Sequence, residues 1–292
     1  MDNFKVLQMK FNYRLASNII DCFNSSNISE EIDMLGYIHS LNSKDIIKKT
    51  FEIDNVAIKP LKYTLLHSFC EQYLYFYLMN EKYYLIDELC DDLDAKILIE
   101  HISSIVSILD EYGVFYSNDY IQKILVLDNE YKLTDYSNEK NYRCFIKWLI
   151  DDILVFFDKI ELDIVDSVFY LLFNNKNFLF KFNSYLAEYV NSNYLGSDCF
   201  NNYKHIKRLK YISKWLQKGV LYRDNGKCQH CGKELSGLLT ITKSKELHLE
   251  HIIPLEKGGT NDATNFQILC DNCNLKKGDK LYMPNYKYQM YW

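Results

Sequence analysis

Four of the nine cysteines stand in two Cys-x2-Cys pairs, Cys228/Cys231 and Cys270/Cys273. Thiolates at that spacing form metal half-sites, and two such pairs supply the four soft ligands that tetrahedral Zn2+ takes. Four sulfur ligands leave no open position for a substrate, so the expected role is structural. The pairs are 38 residues apart, more than in a simple zinc ribbon, and the ion therefore closes a loop that must fold in between. His230 lies inside the first pair and is left out of the ligand set, because four cysteines already complete it. The remaining five, Cys22, Cys70, Cys90, Cys144 and Cys199, are scattered, and an odd total fits reduced, mostly buried thiols better than a disulfide framework.

Between the pairs, Leu247 and Leu249 alternate with polar residues and lead into Glu250-His251-Ile252-Ile253-Pro254, a strand pattern. A Gly258-Gly259 turn comes next, Asn265 to Leu269 returns to the second pair, and a short helix is expected from Cys273 through Asn274 and Lys277. The architecture implied is a hairpin plus helix pinned at its base by zinc. Taken in order, GKCQHC, LEHIIPLEKGGTNDATNFQILC and CNLKKG resemble the HNH (His-Asn-His) endonuclease family, which is built on a ββα-metal fold. The likeness is nearest to zinc-containing bacterial members, including restriction and phage-defence nucleases. It covers roughly the last 70 residues and does not reach residues 1–200.

Carried over by position, the resemblance makes His251 the general base and Asn265 the residue that orients the histidine or its loop. Glu250 and Asn274 become ligands of a catalytic divalent ion. Asn274 stands where a histidine is the family's usual final residue, and Glu250 where Asp or His is commoner. The chemistry is coherent on its own terms. Phosphodiester hydrolysis needs a water made nucleophilic on one side of phosphorus and a stabilised leaving oxygen on the other. A neutral His251 can take the water's proton, and the oxygen ligands Glu250 and Asn274 suit a hard ion, Mg2+ or Mn2+. Adjacent strand residues point to opposite faces, so Glu250 and His251 meet one phosphate only if the strand ends or twists there. Lys277, three residues after Asn274, shares its helical face and can contact the phosphate or its growing charge. His248, two residues before Glu250, is read as a bystander.

The elements that must position these groups divide sharply by charge. Residues 1–200 hold 18 Lys+Arg against 31 Asp+Glu, a net −13, whereas residues 201–292 hold 16 against 8, a net +8. Seven of the ten glycines also lie in the last 92 residues. The chain is therefore expected to form an acidic, mainly α domain over 1–196, of regulatory or interaction type, and a small α+β nuclease domain over 197–292 that opens with a basic helix. That lead-in, YKHIKRLKYISKWLQKG, interleaves Lys207, Arg208, Lys210 and Lys214 with Ile206, Leu209 and Ile212 and is read as an amphipathic helix; such a face suits nucleic-acid phosphates, a membrane surface or solvent, and the metal motif that follows favours phosphates. In the first part, apolar spacings of three and four predict helices over 61–79, 94–111, 143–158, 161–173 and 177–190. Its Tyr and Phe residues are expected in the core rather than stacked on bases. The acidic Asp91, Asp92 and Asp94 read as a solvated helix end, and His39, His67 and His101 are isolated in sequence.

At 292 residues and 48% hydrophobic, the composition excludes a disordered tail and a small disulfide-stapled scaffold. Neither a signal peptide nor a membrane span is legible; the most apolar stretch, Leu149 to Phe157, is broken by Asp151 and Asp152. The resulting expectation is a cytoplasmic, metal-dependent DNA endonuclease with structural Zn2+ and catalytic Mg2+ or Mn2+, acting in bacterial defence or restriction. Its acidic half would regulate or target it, by folding back on the basic domain, by binding a protein partner or by self-association. The alternatives are a non-catalytic zinc-stabilised nucleic-acid-binding protein and a nuclease directed at RNA.

Overall fold

In the computed structural model the described residues are 2–25, 59–83, 106–114, 151, 153–192, 200–201, 205–235 and 247–282. Among the described residues the principal helices and strands are α1 (Asp2–Asn24), α2 (Leu65–Tyr83), α3 (Glu161–Phe173), α4 (Lys176–Ser192), α5 (Lys214–Arg223), β1 (Leu247–His251), β2 (Phe266–Cys270) and α6 (Asp271–Lys277). The expected helices at 61–79, 161–173 and 177–190 correspond to α2, α3 and α4, while α1 was not anticipated. Of the helix expected over 94–111 only 106–111 is described, and it is helical. Of that expected over 143–158, residues 151 and 153–157 are described and helical. Cys90, Cys144, Cys199, His39, His101 and Asp91, Asp92 and Asp94 lie outside the described residues.

The chain divides into two compact units, one of residues 1–18 and 71–168 and one of residues 19–70 and 169–292. Within the first, Phe11 meets Tyr77 edge to face at 5.8 Å, and the Tyr112 hydroxyl donates to Asn12 Oδ1 at 2.9 Å. The second unit is centred on rings. Phe23 is fully buried and packs edge-on against Phe69, Phe178 and Phe182 at 5.3–5.7 Å. Phenylalanines at helical spacing thus fill a core, as their apolar bulk favours.

In the same unit β1 and β2 form an antiparallel pair, with Leu247 opposite Cys270, Glu250 opposite Gln267 and His251 opposite Phe266. The pair and α6 give the expected hairpin-plus-helix. Ile268 and Phe266 of β2 are buried with Leu216 and Val220 of α5 and with Cys228, Cys270 and Cys273. Truncating such a site costs roughly 2–5 kcal/mol. The hairpin's return depends on its glycines. Gly258 closes a single 3-10 turn (Leu255–Lys257) with φ +88°, a region L-residues avoid, and a Cβ on Gly259 would lie 2.0 Å from the Ile253 carbonyl oxygen.

The basic lead-in is not one helix. Its helical part starts at Lys214, after Ser213 in extended conformation, and the described residues from 205 to 213 are non-helical. Tertiary partners claim that backbone: Ile206 bridges Phe200, and the Lys207 carbonyl accepts from Asn261 Nδ2 at 2.8 Å. Amphipathic spacing is a weak prior against such specific bonds. No helix among the described residues is long and apolar enough to cross a membrane.

Candidate functional site

The four cysteines converge. The Sγ atoms of Cys228, Cys231, Cys270 and Cys273 all lie within 4.8 Å of one another, and Cys231 and Cys270 are 3.7 Å apart. Sulfurs about 2.3 Å from a tetrahedral zinc are about 3.8 Å from each other, so the set fits that ion. Burial raises the Cys228 thiol pKa, but backbone N–H groups of Cys231, Cys270 and His230 outweigh it and bring the value to about 7. Such donors stabilise the thiolate that a metal requires. His230 packs edge-on against Tyr282 at 4.8 Å, outside the cluster.

A buried ion pair holds the end of α5 to the hairpin. Asp224, fully buried at the end of α5, accepts from Arg223 Nε through Oδ1 and from the Ile268 N–H through Oδ2, each at 2.8 Å. Arg223 donates onward to the Phe266 carbonyl and lies 4.9 Å from the Phe173 ring. Neither residue was singled out from sequence. Opposite charges side by side at a helix end, just before the first knuckle, were the available signal.

His251 ends β1 and is only 4% exposed, its ring 4.5 Å from that of Phe266. Its Nε2 lies 3.2 Å from Asn261 Oδ1. Because Asn261 gives its Nδ2 to the Lys207 carbonyl, its oxygen faces the imidazole, and an oxygen can only accept. The imidazole proton therefore sits on Nε2, and Nδ1 carries the lone pair. Burial lowers the His251 pKa from 6.5 to about 4; the Asn261 contact opposes this, and the charges of Arg208 and Lys277 add to it. Asn261 was not among the expected site residues, since a polar run after a Gly-Gly turn reads as solvated loop.

Asn265 braces the loop behind the histidine. Its Oδ1 accepts from the Ile253 N–H at 2.8 Å, and its Nδ2 donates to the carbonyls of Ile253 (3.0 Å) and Thr260 (2.9 Å). Its own carbonyl takes the Ile252 N–H. It thus ties both ends of the turn after β1, and the strand ends at His251 because the next N–H groups bond to Asn265.

Glu250 is half-buried and lies 3.6 Å from the guanidinium of Arg208, which is 59% exposed. Lys277, on α6, is buried. Burial lowers its pKa, while Glu250 and Glu256 pull it back up. Glu250 and His251 thus lie within electrostatic reach of the same two cations, Arg208 and Lys277. Asn274 is half-buried on α6, one turn before Lys277. Two oxygen-bearing side chains on β1 and α6 suit a hard cation that keeps water and phosphate ligands. His248 has a partner after all: its Nε2 pairs with the Asp271 carboxylate, linking β1 to the first residue of α6. Lys207, Lys210 and Lys214 are exposed, as phosphate contacts must be.

No curated protein and no solved structure matches the chain. Residues 228–280 do match a family model, that of the HNH endonucleases. These are the residues that carry both knuckles, the hairpin and α6, so this segment of the chain is similar to an HNH endonuclease domain, which supports a nuclease-type function.

Proposed function

We propose that the chain is a metal-dependent endonuclease that hydrolyses DNA phosphodiester bonds, with His251 as general base. The observation that carries this reading is the 3.2 Å contact between His251 Nε2 and Asn261 Oδ1, from which the tautomer follows. A buried ring whose Nε2 faces the Asn261 oxygen keeps its proton there and leaves Nδ1 unprotonated, and His251 follows Glu250 directly in sequence at the end of β1. A base must offer a lone pair at the working pH, and burial keeps this imidazole neutral.

Nδ1 takes the proton of the attacking water, and Asn261 holds the resulting imidazolium through Nε2. Glu250 and Asn274 would hold Mg2+ or Mn2+, which supplies Lewis-acid polarisation of the phosphate and stabilisation of the leaving oxygen. Lys277 offers its charge to the phosphate as negative charge builds. Arg208, Lys207, Lys210 and Lys214 bind the flanking backbone. The cysteine cluster holds Zn2+ as a structural ion that fixes β2 and the start of α6. A role in bacterial defence or restriction follows from the resemblance to zinc-containing HNH nucleases. Residues 1–200, at net −13, would target or regulate the enzyme rather than grip DNA.

The test is incubation of the full chain with supercoiled plasmid, single-stranded DNA and RNA, with Mg2+ or Mn2+, beside His251→Ala. Nicked or linear plasmid with the parent, none with the variant, and equal zinc in both is the expected result. Equal cutting by His251→Ala would remove the base. Binding without cleavage in any divalent ion would favour a zinc-stabilised nucleic-acid binder, and cleavage of RNA alone would reassign the substrate.

A further inference from the structure

The turn between β1 and β2 is polar yet buried: Thr260, Asn261, Asp262, Thr264 and Asn265 are each at most 1% exposed. A buried polar loop persists only when its donors and acceptors are matched. Asp262 is the centre of that matching. Its Oδ1 accepts from the N–H of Thr264 at 2.9 Å and from the Thr264 hydroxyl at 2.5 Å. Its Oδ2 accepts from the N–H of Leu65 at 3.0 Å, across 197 residues of sequence.

Leu65 is the first residue of α2, and its N–H is one of the donors that a helix leaves unsatisfied at its start. The rest of that helix end is capped locally. The Thr64 hydroxyl accepts from the His67 N–H at 3.3 Å, and His67 Nδ1 accepts from the Thr64 N–H at 3.0 Å. Asp262 completes the cap from the hairpin, and the helix N-terminus favours its negative charge. On its other side the Thr264 hydroxyl lies 3.3 Å from Asn183 Oδ1 of α4, the longer arm of a proton shared with Asp262. Asp262 stands between Asn261, which sets the His251 tautomer, and Asn265, which ties the turn to residues 252, 253 and 260. A shift of its carboxylate is passed to both.

We infer that Asp262 is a positioning residue through which the start of α2 sets the active-site turn, so that Thr64 and Leu65 belong to the nuclease machinery although they precede it by almost two hundred residues. In its catalytic consequence this rests on the proposed nuclease activity; in its structural consequence it does not. It also implies that cutting the chain down to residues 197–292 would weaken the site, since that cut removes the Leu65 and Asn183 partners of the turn.

The experiment uses the full chain with zinc bound and compares the parent with Asp262→Asn and Thr64→Ala. Asp262→Asn keeps the shape and turns an amide NH2 toward a donor. Thr64→Ala loosens the helix end without touching any active-site group. Hydrogen exchange is followed at residues 65–68 and 260–265, with kcat and KM for plasmid cleavage. Both variants should speed exchange in both segments together and lower kcat tenfold or more, with KM and zinc content unchanged. Thr64→Ala that speeds exchange at 65–68 and leaves 260–265 as in the parent overturns the inference, even if Asp262→Asn fails to fold. So does, where the parent cleaves, an unchanged kcat in variants whose two segments have both loosened. A parent that cuts nothing under any condition refutes the nuclease reading, and the exchange data then decide the coupling alone.

Discussion

Replacing Asp224 with Ala probes how the end of α5 and the hairpin are joined. The carboxylate is fully buried and compensates two donors, Arg223 Nε and the Ile268 N–H, both at 2.8 Å. Its removal leaves a guanidinium 7% exposed without its counter-charge and orphans a strand amide in the middle of β2. Breaking a buried pair from one side costs about 3–5 kcal/mol, and a stranded N–H adds about 1–3 kcal/mol. A loss of at least about 4 kcal/mol is thus expected, a large fraction of a total of about 5–15 kcal/mol. Urea unfolding at saturating zinc measures it as a shift in midpoint at constant slope. Arg223→Met should rescue part of the loss, because it removes the uncompensated charge, and the double variant should be about 2 kcal/mol more stable than additivity predicts. A loss under about 1 kcal/mol, or strict additivity, would refute the claim that this pair is the brace.

Other perturbations test neighbouring steps. Cys270→Ser should lower bound zinc from one equivalent and unfold the nuclease unit at a lower temperature, read by metal analysis and thermal melting; retained zinc and melting point would contradict a structural site. Gly259→Ala should lower stability by about 2 kcal/mol or more, since its Cβ would meet backbone rather than a movable side chain; a urea midpoint within error of the parent would show that the turn yields. His251, whose pKa falls on folding to about 4, lets the unfolded chain bind the extra proton between pH 6.5 and 4. Its contribution is therefore complete above pH 6.5 and is lost on acidification, by about 2–3 kcal/mol at pH 4.5 relative to His251→Gln measured with equal zinc and no Mg2+. Parallel pH profiles for the two proteins would contradict its neutral burial. Alanine at Lys207, Lys210 and Lys214 should flatten the dependence of log affinity on log salt by about one per lost phosphate contact; an unchanged slope would place the DNA elsewhere.

The zinc knuckles were legible because metal ligation has a short, strict grammar: two Cys-x2-Cys pairs need only be brought together, and Cys228, Cys231, Cys270 and Cys273 are. The hairpin-plus-helix was legible for a similar reason, since the Leu247/Leu249 alternation, the Gly258-Gly259 turn and the Asn274/Lys277 spacing are local. The arrangement of Glu250 beside His251 could be reasoned only to a condition, that the strand end there. The strand does end at His251, where the N–H groups of Ile252 and Ile253 turn to Asn265, but Glu250 and His251 are both still paired within it. The lead-in helix was misjudged over 205–213 because local amphipathicity carries no information about the Asn261 amide that takes the Lys207 carbonyl.

What sequence alone determined, then, is the chemistry: which atoms can ligate zinc, which imidazole sits beside a carboxylate, and where the charge changes sign. Tertiary structure alone decided protonation and support. The Nε2–H of His251, the burial of Asp224 and Asp262 and the bond from Leu65 to Asp262 each depend on groups far apart in the chain. A residue's type sets what it can donate or accept, but desolvation and partner geometry exist only once distant segments have packed around it.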